Sequence, residues 1–188
     1  YYNKGMVLEE QGNIDEAIKI YNKTLLLDPK HIRAFNNLGT IHYNLGKFNL
    51  AIKTYNQALE INPNYAEAFY NIGVVLKDQG KVNEAISSYY KALKINPNFA
   101  EVYNNIGLLH ADQGDLNEAL KLFQKALTLK PDFAEAYNNM GYIKLEQNDI
   151  NAALSMFNRT VHIDKKNYKG FINIANIYEL EGNHKSVI

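Results

Sequence analysis

The chain has no cysteine. That absence excludes a disulfide framework, a cysteine metal site and a thiol nucleophile, and it fits a reducing compartment, so a cytoplasmic or nuclear location is expected. A net charge is also lacking: 20 Lys and Arg balance 20 Asp and Glu over 188 residues, leaving no field to recruit DNA, RNA or an anionic membrane. Long apolar runs are missing, since stretches such as residues 72–76 fall far below the roughly 20 residues that cross a bilayer. With no signal peptide at the start, a soluble chain is expected. The sequence opens at Tyr1 rather than Met and stops part-way through a repeating pattern, which reads as a piece of a longer protein.

Proline is scarce, and its scarcity is informative. The four prolines, Pro29, Pro63, Pro97 and Pro131, follow one another at intervals of 34 residues, a fixed period that marks stacked structural repeats. The same offset aligns Gly5, Gly39, Gly73, Gly107 and Gly141; Ala17, Ala51, Ala85, Ala119 and Ala153; and the aromatics Tyr21, Tyr55, Tyr89, Phe123 and Phe157.

Taking Ala66 as position 1, Phe69, Ile72, Gly73 and Leu76 fall at positions 4, 7, 8 and 11, the stripe of an amphipathic helix. A second helix carries Ala85, Tyr89 and Ala92 at positions 20, 24 and 27. Gly80 and its equivalents Gly12, Gly46, Gly114 and Gly182 separate the two as helix-stopping residues, because glycine accepts the left-handed conformation. Asn64, Asn98 and Asp132 precede Glu67, Glu101 and Glu135 by three residues, the spacing of a capping box. Proline at position 32 is expected to end the second helix. Small residues at positions 8, 20 and 27 allow two helices to approach, each meeting a large aromatic.

These columns resemble the tetratricopeptide repeat family, whose pattern is nearly filled by Phe35, Leu38, Gly39, Ala51, Tyr55, Ala58 and Pro63. Departures include Lys4 at position 7, Thr24 and Thr160 in place of Ala, Lys165 in place of Pro and Ala175 in place of Gly. The resemblance implies an all-α fold, a right-handed superhelical solenoid of helix-turn-helix repeats over 1–31, 32–65, 66–99, 100–133 and 134–167, with an incomplete sixth at 168–188. First helices would line its concave face.

His42 and His110 share position 11 two repeats apart, too far for joint metal ligation given helix spacings of roughly 8–10 Å. No metal or other cofactor is expected: the glycines form no phosphate-cradling cluster. Asn22-Lys23-Thr24 and Asn158-Arg159-Thr160 match a glycosylation acceptor pattern only by chance, since their Thr residues fall at the buried position 27. No catalytic constellation recurs, so this stretch is not expected to be an enzyme.

Position 6 is Asn in every unit: Asn3, Asn37, Asn71, Asn105, Asn139 and Asn173. It sits about 150° from the centre of the buried stripe, where a middling helix former has no packing reason to recur. On the same face position 9 carries Val74, Leu108 and Tyr142, and position 13 carries Glu10, Asp78, Asp112 and Glu146.

Such an asparagine column resembles the repeat arrays of the O-GlcNAc transferase and Spindly-type protein O-glycosyltransferases. There the column grips the main chain of an extended protein substrate for a separate catalytic domain. The resemblance implies that the six asparagines, with Asp78 and Asp112, bind extended or disordered segments of other proteins. The alternative is a scaffold or co-chaperone adaptor without an enzymatic domain. A carboxylate clamp for chaperone C-termini is disfavoured, because position 5 reads Tyr2, Asn36, Tyr70, Asn104, Asn138 and Ile172, without the Lys that clamp uses.

Overall fold

The computed structural model describes residues 1–185 and divides into two compact units, Tyr1–Pro97 and Asn98–Ile188. The regular elements among the described residues are all α-helices, with no strand. The first unit contains α1 (Tyr2–Glu10), α2 (Ile14–Leu27), α3 (Ile32–Asn44), α4 (Phe48–Ile61), α5 (Ala66–Asp78) and α6 (Val82–Ile95). The second contains α7 (Ala100–Asp112), α8 (Leu116–Leu129), α9 (Ala134–Glu146), α10 (Ile150–Ile163) and α11 (Tyr168–Lys185). Within each unit, consecutive helices pair, and alternate first helices also touch, α3 with α5 and α7 with α9. The all-α class that the family resemblance implies is the one observed among the described residues.

The recurring small and aromatic columns form the core. Tyr21, Tyr89, Phe123 and Phe157 are wholly buried and Tyr55 nearly so, together with the alanines at position 20. Each ring lies directly against the glycine of its own hairpin: a methyl group placed on Gly39 would stand 2.5 Å from Tyr55, and one on Gly141 2.6 Å from Phe157. Glycine at position 8 is therefore dictated by the ring that crosses it, a close approach that no larger residue permits. Thr24 and Thr160 are tolerated at position 27 because their buried hydroxyls donate to the carbonyls of Ile20 at 2.9 Å and Met156 at 3.1 Å.

The helix ends differ from expectation in three respects. Gly12, Gly46, Gly80 and Gly114 adopt φ between 70° and 82° as helix stops, and Asn148 takes the same role at φ 58°, but α11 runs through Gly182 to Lys185. The capping boxes are not formed. The caps fall one residue later, on Tyr65, Phe99 and Phe133, with no side-chain cap bond, and Glu101 instead pairs with Lys130 at 2.8 Å. The physical reason lies at position 31. Asp28 and Asn62 accept the backbone N–H two residues on, at 3.1 and 3.0 Å, forming turns that hold residue 64 in the loop rather than at the cap. Proline, finally, is not what ends the second helix. Asp164 makes the same turn to Lys166 at 3.0 Å, and α10 stops at Ile163 with Lys165 in the proline position.

Candidate functional site

The asparagine column is not on a purely solvated face. Asn3 is exposed, Asn37, Asn71, Asn105 and Asn139 are half-buried, and Asn173 is buried. In the first unit the Asn71 amide donates to Asn36 Oδ1 at 2.9 Å, and the Asn37 amide to the hydroxyls of Tyr2 at 3.3 Å and Tyr21 at 3.1 Å. In the second unit Asn139 donates to Asn104 Oδ1 at 3.0 Å and Asn173 to Asn138 Oδ1 at 3.1 Å, while Asn173 Oδ1 accepts from Tyr142 at 3.0 Å. At these four positions, Asn37, Asn71, Asn139 and Asn173, position 6 of one repeat bonds position 5 of the repeat before. The expectation that the column lacks a structural reason is corrected for Asn37, Asn71, Asn139 and Asn173, which tie neighbouring first helices within a unit together.

Asn104 is almost fully buried, so its carbonyl depends on that bond. Removing a partner and leaving a buried acceptor unsatisfied costs about 1–3 kcal/mol. Asn139→Ala is accordingly expected to destabilise the protein by about that amount, measured by chemical denaturation, whereas Asn3→Ala, on an exposed residue, should leave stability unchanged.

The acidic column is divided between two roles. Asp78, though exposed, is engaged by its own chain: it accepts from the Tyr43 hydroxyl and pairs with Lys77 at 3.0 Å. Partial burial opposes its charge, but Tyr43 and Lys77 together hold its carboxyl below the usual range. Reciprocally, the hydrogen bond to Asp78, with burial, pushes the Tyr43 phenol up to about 12. Asp112 is exposed at the end of α7.

Small clefts lie between successive first helices. In the first unit a cleft of about 290 Å³ is lined by Met6, Glu9, Glu10, Asn37 and Thr40. In the second, one of about 240 Å³ brings Asn139 and Asp112 together with Leu108, Tyr142 and Glu146 over the buried ring of Phe123. Both therefore combine the position-6 asparagine with position-13 carboxylate and position-9 side chains. Tyr142, nearly half exposed, stands edge-on to Phe157 at 5.5 Å, which fixes its ring at the cleft wall.

The histidines take separate parts. His42 has a buried Nδ1 with no hydrogen-bond partner, and burial, followed by Lys47, lowers its pKa. His110 Nδ1 lies 3.6 Å from Asp115 Oδ2. Among the described residues no group of three or more His, Cys, Asp or Glu is placed to hold a metal ion, and no helix is long and apolar enough to cross a membrane.

Sequence profiles described as TPR repeat match residues 39–80 and 75–114, and profiles described as tetratricopeptide repeat match 1–31, 100–133 and 122–155. The chain belongs to the tetratricopeptide repeat family. Among solved structures it is similar to MamA, at 25% identity and TM-score 0.70, with 90% of this chain and 99% of that one covered. PilF of Pseudomonas aeruginosa superimposes with TM-score 0.83 at 20% identity, covering 98% and 84%. YrrB, described as a TPR protein with an unusual peptide-binding site, gives TM-score 0.63 at 24% identity, covering 91% and 88%. A comparison with curated proteins finds no match. As a tetratricopeptide array, the chain is a protein-interaction module.

Proposed function

We propose that the first-helix face of each unit binds extended segments of partner proteins. The clefts holding Asn37 and Asn139 are where the segment's main chain sits. What carries this reading is the recurrence, in both units, of a cleft that combines the position-6 asparagine amide with carboxylates and position-9 side chains. Asn139 uses one amide hydrogen on Asn104; its second hydrogen and its carbonyl oxygen match the C=O and N–H that an extended chain presents at regular intervals. Each such bond adds about 0.5–1.5 kcal/mol net. After ordering a flexible segment, affinity in the weak micromolar range is expected. Fluorescence anisotropy with a panel of labelled unstructured segments, below the unfolding transition, tests it. Asn37→Ala with Asn139→Ala should weaken binding about tenfold, the loss of roughly two such bonds; unaltered binding across the panel would place the partner elsewhere.

The asparagine column is the trait shared with the arrays of O-GlcNAc transferase and Spindly-type enzymes, and the proposal extends to substrate recruitment for a catalytic domain of that class. The alternative is an adaptor without one. The sequence of the full-length protein separates them: a glycosyltransferase domain in it supports recruitment, and repeats alone support the adaptor.

A further inference from the structure

The cleft of the second unit has a chemistry that its counterpart in the first does not share. Leu108, Ala111 and Tyr142 form an apolar wall above the ring of Phe123, and the two carboxylates at its edge, Asp112 and Glu146, are the terminal residues of α7 and α9. Both acids are exposed, and no Lys or Arg is among the lining residues. In the first unit the corresponding positions are the polar Thr40 in place of Tyr142 and the uncharged Asn44 in place of Glu146.

From this combination we infer that the second-unit cleft is a specificity pocket for a lysine side chain of the bound segment. The inference rests on the reading of the first-helix face given above. A cleft of about 240 Å³ with an apolar wall accommodates a four-carbon stem, and a lysine buries such a stem along apolar surface while its head stays with water and counter-charges. Asp112 and Glu146 supply those charges at the rim. They are the final residues of two helices, and the negative helix ends add to the attraction for a cation. Asn139, at the same cleft, fixes the main chain from which the lysine projects. The pocket therefore reads one side chain, whereas the asparagines read none.

A pooled selection tests this. Blocked dodecapeptides randomised over Gly, Ser, Thr and Val carry Lys, norleucine, Gln or Glu at a central position, and the pools are passed over the immobilised wild-type chain. Norleucine keeps the stem and lacks the charge. Lysine peptides are expected to be enriched at least fivefold over norleucine peptides and still more over glutamate peptides. In the Asp112→Asn, Glu146→Gln double variant, with helicity checked by circular dichroism, that preference should fall to about one. Equal recovery of lysine and norleucine pools on the wild-type chain overturns the pocket and leaves the binding face standing. A lysine preference that survives in the double variant overturns the pocket as well. Retention of no pool at all removes both the pocket and the reading beneath it.

Discussion

Phe123→Ala is expected to destabilise the protein by about 3–5 kcal/mol, the range for truncating a wholly buried aromatic. The ring has no exposed surface and packs with Ala119 and Ile143, with Leu108 and Met140 against the same cluster. It also fills the space opposite Gly107, where a methyl group would come within 2.8 Å of it. Removing it leaves a void bounded by helix backbones that are themselves held by neighbouring repeats, so the site has little room to collapse. In a stacked array, stability is a sum of repeat and interface terms, and this substitution strikes both: Phe123 closes its own hairpin and packs on Ile143 of the next. Chemical denaturation followed by circular dichroism measures the loss, and a decrease below 1 kcal/mol would mean that the column is not the core.

The opposite error, too much volume, comes from Gly39→Val. A Cβ on residue 39 would lie 2.5 Å from Tyr55 Cε1 and 2.7 Å from Cδ1, and Tyr55 is 2% exposed with its hydroxyl 3.1 Å from Thr40 Oγ1. Burial, opposed by that Thr40 contact, pushes the Tyr55 phenol up to about 12, as expected for a hydroxyl enclosed by the fold. In open helix a larger residue would replace glycine with a gain of a few tenths to 1 kcal/mol. Here the ring cannot withdraw, and overpacking costs about 3 kcal/mol. The sign of the net change thus decides between propensity and packing. Adding Tyr55→Leu to the valine variant should recover part of the loss, with a coupling of about 1–3 kcal/mol in the double-mutant cycle. Strict additivity would contradict direct contact between the two columns.

Both residues were legible from the sequence, because a column that repeats at fixed spacing constrains its own hairpin. The helices, their order, and the meeting of position 8 with position 24 follow from the period and the amphipathic stripe. What the period does not contain is the register between repeats. The partner of Asn139 is Asn104, in the preceding repeat, and the doublets Asn36-Asn37, Asn104-Asn105 and Asn138-Asn139 are the signal that could have exposed the pairing. Loop geometry was equally hidden: the side chain of Asn62 accepts the backbone N–H of Asn64 that a capping box would direct to Glu67, and Asp164 accepts that of Lys166 in the same way. Asp78 stood in the acidic column with Asp112, but its engagement by Tyr43 depends on a contact between α3 and α5 that no single repeat encodes.

The central claim is that extended segments bind across the first helices. Titrating an unlabelled, lysine-containing unstructured dodecapeptide into the isotope-labelled chain and following backbone and asparagine side-chain amide resonances tests it most directly. The account predicts the largest shifts at Asn37 and Thr40 in the first unit and at Asn139, Tyr142 and Asp112 in the second. Exposed second-helix positions such as Lys53, Ser87 and Lys121 should stay unmoved. Shifts confined to those second helices, or none at saturating peptide, would contradict it.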